Sequence, residues 1–184
     1  MIKNFLLSTC AAALLLGGTN LARAQHANMG PTQAVASIMP TGSNTARGVV
    51  VLTQYEGYVQ VTGEVTGLKP GAHGFHIHMF GDLRSTDGMS AGGHYNPAGH
   101  KHGGPQTAEH HAGDLGNIEA DAQGMAKVNS KVEGLKLGQV IGRSIVVHAD
   151  PDDLTSQPAG NAGPRIGVGV IGLAEVKPAA TSGT

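Results

Sequence analysis

Cysteine is nearly missing from this chain of 184 residues: there is one, Cys10, and it lies inside an apolar N-terminal stretch. Lys3 supplies a positive start, residues 5–16 form a short apolar core, and Leu21-Ala-Arg-Ala24 gives the small-x-small pattern of a cleavage site before Gln25. Residues 1–24 therefore read as a secretory signal. The apolar core runs on past Cys10, where a lipid-bearing cysteine would close it, and it is too short to span a bilayer. The sequence thus predicts an exported protein, periplasmic or extracellular, with no membrane anchor. Cleavage after Ala24 would leave no cysteine and no disulfide, in a compartment where disulfides ordinarily persist.

Aromatic side chains are scarce too, with no Trp, three Phe and three Tyr, so a core must be built from Val, Ile, Leu, Met and Ala. Removing Lys3 and Arg23 leaves ten Lys and Arg against thirteen Asp and Glu, a net charge near −3 that gives no reason to expect a nucleic-acid partner. The residues that remain suffice for one domain, predicted over 34–176 between a flexible leader at 25–33 and a flexible tail at 177–184.

Beyond the signal, no segment keeps a 3.6-residue apolar period over a helix length. Period two recurs instead: Val59, Val61, Gly63 and Val65 alternate with Gln60, Thr62 and Glu64, and Ala126, Val128 and Val132 alternate with Lys127, Asn129 and Lys131. Turn chemistry separates such runs at Glu56-Gly57, Lys69-Pro-Gly71 and Ala122-Gln-Gly124. The pattern predicts about eight strands, at 34–39, 48–54, 58–66, 72–78, 115–120, 125–132, 143–148 and 167–173, in an all-β sandwich or barrel. Two long connections, 79–113 and 149–166, interrupt the spacing, and long loops in a compact domain are usually functional.

The histidines concentrate where those connections begin and end. In His73-Gly-Phe-His-Ile-His78, His76 and His78 are two apart, so a strand offers both imidazoles on one face to one metal ion. A lone His-x-His is as easily a surface coincidence. Here it is followed by His94, His102, His111, Asp114 and His148, a supply of imidazole and carboxylate suited to transition metals. Three His of the first connection with Asp114 at its end match the closed tetrahedral set that structural zinc prefers, and bound metal would offset the entropy of ordering so long a loop. The expectation is a two-metal redox site.

Six stretches together resemble the copper,zinc superoxide dismutases: His73-Gly-Phe-His-Ile-His78, Ser90-Ala-Gly-Gly-His-Tyr-Asn-Pro97, His102-Gly-Gly-Pro105, His111-Ala-Gly-Asp-Leu-Gly-Asn117, Ile141-Gly-Arg-Ser-Ile-Val-Val-His148 and Gly160-Asn-Ala-Gly-Pro-Arg165. The resemblance covers about residues 34–176. It implies an eight-stranded antiparallel Greek-key β-sandwich or barrel with two long functional loops, and disproportionation of superoxide to oxygen and hydrogen peroxide. It assigns a copper ion to His76, His78, His94 and His148 and a zinc ion to His94, His102, His111 and Asp114, with His94 as the bridge. Asp152 becomes the carboxylate that fixes imidazoles of both sets. Arg165 becomes the cation beside the open copper position, and His73 packs and hydrogen-bonds beneath it. His94 and Arg165 are the residues that would act on the substrate.

Three departures accompany the resemblance. The cysteines that tie the first loop to the last strand in family members are missing, with Gly88 and Val168 at or near their places. The second loop is shorter than in many members and carries Asp150, Asp152 and Asp153 but no lysine between His148 and Arg165. His26, His100 and His110 fall outside the ligand sets and are expected to be solvated. Family members are often homodimers, and the lost cysteines leave that state open here. The rival reading is a non-enzymatic exported copper- or zinc-binding protein on the same fold, which would keep the ligands but lose the open copper position or the arginine. A metallochaperone is disfavoured by the lack of any Cys-x-x-Cys.

Overall fold

The computed structural model describes residues 32–175. The signal at 1–24, all but the last two residues of the leader at 25–33, and the tail at 177–184 lie outside the described residues.

Eight strands carry the fold: β1 (Gln33–Pro40), β2 (Arg47–Tyr55), β3 (Tyr58–Thr66), β4 (Gly71–His78), β5 (Asp114–Ala120), β6 (Ala126–Glu133), β7 (Ser144–His148) and β8 (Arg165–Leu173). All neighbours pair antiparallel, and the order β1-β2-β3-β6-β5-β4-β7-β8 closes on itself, so the sandwich-or-barrel expectation resolves to a closed barrel without a free edge. Chain neighbours β3 and β4, and β6 and β7, are not sheet neighbours. Those two crossings make the Greek-key order. Among the described residues no helix is long and apolar enough to cross a membrane.

Alternation explains most of the barrel. In β3, Val59, Val61 and Val65 are buried while Thr62 and Glu64 are exposed. The inward set meets Val50 and Leu52 of β2, Phe75 and Ile77 of β4, Ile145 and Val147 of β7 and Ile171 of β8 in one apolar cluster. Full burial of a side chain of this size is worth roughly 1.5–3 kcal/mol.

Strands β4 and β7 depart from alternation, and the departure locates the site. From His73 to His78 every residue of β4 is buried, as is every residue of β7. Phe75, Ile77, Ile145 and Val147 fill the barrel. The opposite face of these two strands carries His76, His78, Val146 and His148, and the two long connections cover it. Val146 packs there with Ala91 of the first connection and Val168 of β8. A Cβ built on Gly88 would lie 2.9 Å from Val168 Cγ2, so the two positions expected to stand near the missing cysteines are in contact.

Candidate metal centre

The loop residues reach the site because main-chain hydrogen bonds continue the sheet into the first connection. His78 and His94 form an isolated antiparallel bridge. Met79 N–H donates to Gly93 O at 2.9 Å, Tyr95 N–H to Ile77 O at 2.8 Å, and Ile77 N–H to Gly113 O at 2.9 Å. His94 is thereby held beside β4, and Asp114 follows as the first residue of β5. His148 ends β7 in register with Arg165 at the start of β8.

The expected residues meet in two groups. His76, His78, His94 and His148 offer donor atoms within 4.8 Å of one another, and so do His94, His102, His111 and Asp114. His94 belongs to both, and all seven residues are buried.

Hydrogen-bond partners fix which ring nitrogen each histidine has to offer. A carbonyl oxygen only accepts, so His78 Nδ1–H donates to Gly92 O at 2.9 Å and His148 Nδ1–H donates to Gly163 O at 3.1 Å. The remaining nitrogens, His78 Nε2 and His148 Nε2, then face each other as lone pairs at 3.3 Å. Two lone pairs at that distance call for a cation between them. Asp152 divides its carboxylate: Oδ2 accepts from His76 Nε2 at 2.8 Å and Oδ1 from His102 Nε2 at 2.9 Å. His76 Nδ1, His94 Nε2 and His102 Nδ1 are buried without a hydrogen-bond partner. Orphaned buried nitrogens are costly, and their gathering on residues of both groups is the observation that fits bound metal.

In the second group, Asp114 Oδ1 lies 2.7 Å from His94 Nδ1 and 3.1 Å from His111 Nδ1, while Oδ2 lies 3.1 Å from His102 Nδ1 without hydrogen-bond geometry. Three imidazole nitrogens around one carboxylate form a compact N3O donor set, the composition suited to zinc.

Electrostatics favours neutral imidazoles and ionised acids, the forms that bind metal. Burial, joined by His76, pushes His148 down to about 3. Burial, with the charges of His94 and Arg165, holds His78 well below its ordinary value. Burial also lowers His76 against the opposing pull of Asp152, and it lowers His111. Burial by itself would raise Asp114 and Asp152. Hydrogen bonds outweigh it: His94 and the main-chain N–H groups of His111 and Gly103 lower Asp114, and His76, Leu154 N–H and His102 lower Asp152.

Arg165 donates from one terminal nitrogen to Gly88 O at 2.7 Å and from the other to Gly92 O. Gly92 O is also the acceptor for His78, so one carbonyl orients both the guanidinium and an imidazole. A cavity of about 640 Å³ is lined by Arg165, His78, His94, His148, His111 and Asn161 among others, which leaves the first group open to a small anion, while His102 and Asp114 of the second group do not line it. His73 lies beneath, with Nδ1 2.8 Å from His148 O and Nε2 2.8 Å from Lys69 O, tying β4 to the end of β7.

Some side chains differ from expectation. His100 is exposed, but His110 is half-buried, with Nδ1 2.7 Å from His111 O. His26 lies outside the described residues. Sequence reasoning assigned no role to Asn117 or Ser90, though both stand in the matching stretches, nor to Gln157 or Ser85; the hydroxyls of Ser85 and Ser90 lie 3.1 Å apart and bind the loop's main chain. Their partners are distant in sequence or lie within an irregular loop, and no spacing rule announces them.

A closed antiparallel barrel with two donor sets joined through one histidine defines an all-β metalloprotein with a paired metal centre. Residues 46–171 match the sequence profile described as copper/zinc superoxide dismutase. The chain is 48% identical over 159 residues to Superoxide dismutase [Cu-Zn] 3 of Arabidopsis thaliana, an alignment covering 80% of this chain and 94% of that one. It also superposes on a crystal structure of the clock protein EA4 with a TM-score of 0.71 and 37% identity, over 78% of this chain and 96% of that one. The chain belongs to the copper/zinc superoxide dismutase family.

Proposed function

We propose that this chain disproportionates superoxide, with copper held by His76, His78, His94 and His148 and zinc by His94, His102, His111 and Asp114. The observation that carries the reading is the sharing of His94 by two complete donor sets. Copper, when bound, supplies the one-electron redox chemistry that turns two superoxide ions and two protons into oxygen and hydrogen peroxide.

The chain's own residues do the rest. Arg165 presents a permanent, fixed charge at the cavity and orients the anion there. His94 is placed to hold a proton at Nε2, an atom without another partner, and to pass it to the developing peroxide. Asp152 keeps the protons of His76 and His102 on Nε2, so that Nδ1 of each is free for metal. The two long connections keep His102 and Asp114 buried and away from the open cavity. The rival non-enzymatic reading is disfavoured because Arg165 and the open cavity are both retained.

The signal at residues 1–24 supports export to a periplasmic or extracellular space, tested by the N-terminus of the secreted form. Cleavage before Gln25 is expected, and an intact Met1 would oppose it. A homodimer is supported by the exposed apolar side chains of Phe80 and Leu83, which a second copy would cover. Sedimentation of the purified chain tests it, and a monomer at micromolar concentration would remove the proposal. For the activity itself, the metal-loaded chain is expected to accelerate superoxide decay, with His94→Ala strongly impaired. Equal decay with and without the loaded chain would overturn the reading.

A further inference from the structure

Two amide side chains in this structure act as peptide groups toward distant main chain. Asn117 Nδ2 donates to Asp152 O at 2.9 Å, and Asn117 Oδ1 accepts from Asp152 N–H at 2.7 Å. Gln157 does the same to His102: Oε1 accepts from His102 N–H at 2.9 Å and Nε2 donates to His102 O at 2.9 Å. Gln157 Nε2 also donates to Thr155 O at 3.1 Å, which ties the side chain to its own loop.

The second clamp has a special burden. His76 and His78 sit on β4, His148 on β7 and Asp114 on β5, while His94 is bridged to His78. His102 belongs to no strand or helix, and among the described residues its main chain makes no hydrogen bond to other main chain. It is nevertheless buried, so its N–H and C=O need partners, and the Gln157 amide supplies both. Gly160 lets the loop close over the same spot. Its φ is +65°, and a Cβ there would lie 1.8 Å from Asp152 Oδ1 and 2.6 Å from His102 Nε2. Asp152 holds the imidazole of His102 and Gln157 holds its backbone.

We propose that Gln157 is a positioning residue of the second metal site, setting how long zinc is retained by fixing the main chain of His102. This rests on the reading of His102 as a zinc ligand. Outer partners of metal ligands typically change affinity by roughly 10–100-fold when removed. Gln157 bonds to one zinc ligand and to no copper ligand, and His76, which shares Asp152 with His102, is held independently on β4, so the effect is expected on zinc.

The test loads the full chain with copper and zinc, adds excess chromophoric chelator and follows the release of each metal. It compares the parent with Gln157→Ala, Gln157→Met and Gln106→Ala. Gln157→Met keeps the side chain's length and removes both bonds to His102. Gln106 is an exposed glutamine on the first connection and serves as control. Both Gln157 variants are expected to release zinc about tenfold faster at the parent's rate of copper release, and Gln106→Ala to match the parent. With cobalt(II) in place of zinc, the ligand-field bands should shift in Gln157→Met, since the geometry around His102 relaxes. Zinc release from Gln157→Met at the parent's rate overturns the proposal and leaves the ligand reading intact. Parallel loss of both metals also overturns it, because that is general loosening of the loop. A parent whose zinc or cobalt uptake is unchanged by His102→Ala refutes the ligand reading, and this proposal with it.

Discussion

Replacing Arg165 by alanine removes the one Arg or Lys lining the cavity that opens onto His78, His94 and His148. Superoxide carries one negative charge and the chain beyond residue 24 carries about three in excess, so long-range attraction is absent and approach must rely on charge at the cavity. Two unit charges 4 Å apart interact by about 1 kcal/mol in bulk water and about 4 kcal/mol at the effective dielectric of a protein surface. The guanidinium is half-buried at the rim, so a value toward the lower figure applies. A tenfold loss in kcat/KM, ~1.4 kcal/mol, is the expected outcome. Gly92 O retains its bond from His78 Nδ1–H in the variant, so copper binding should survive. Arg165→Lys should fall between the two, keeping the charge but losing the fork that reaches Gly88 O and Gly92 O. Pulse radiolysis across ionic strength, at matched copper content, reads both effects. The parent should slow as salt rises and screening shortens to about 8 Å, whereas in Arg165→Ala the trend should flatten or invert as screening relieves net repulsion. An alanine variant with the parent's rate and salt slope would refute the reasoning.

Other perturbations have equally direct readouts. Because no cysteine follows residue 24, the melting temperature of the chain from Gln25 onward should ignore a thiol reductant yet fall sharply with a zinc chelator; indifference to the chelator would show that the barrel alone orders the loops. Asp152→Asn can serve only one of two imidazoles as acceptor, and His76 has strand support that His102 lacks, so zinc affinity should drop about 100-fold and copper affinity less, as competition titrations would measure. An equal loss of both metals would contradict that ordering. In the metal-free protein, burial pushes His148 down to about 3 from 6.5 and lowers His76 and His78 as well. The unfolded chain therefore binds more protons below about pH 6.5, and stability should decline from there as pH falls toward 3. Denaturant unfolding at several pH values tests this, and a flat profile across that window would contradict it.

The barrel was largely legible because its strands are short, alternate with period two and are punctuated by turn residues. The expected strand at 58–66 coincides with β3, and the others differ from the observed bounds by two residues or fewer at either end. Alternation could not reveal that β4 and β7 are covered on both faces, because Val146, His76 and His78 owe their burial to loops far along the chain. Residue type and spacing were enough to single out the seven donor residues, and the family resemblance divided them into sets. The supporting contacts were not legible. Gln157 and His102 are 55 residues apart, and Asn117 and Asp152 are 35 apart. Such pairs depend on how the second connection packs against the first and against β5, which local sequence does not encode. His110 illustrates the same limit, since adjacency to His111 draws it half into the structure where its place outside the ligand sets suggested solvent.

Two donor sets share His94, and the metal content of the reconstituted full chain under native mass spectrometry probes that sharing most directly. One copper and one zinc per chain are expected, with His94→Ala weakening both without emptying either completely. A single metal ion per fully reconstituted chain would contradict it.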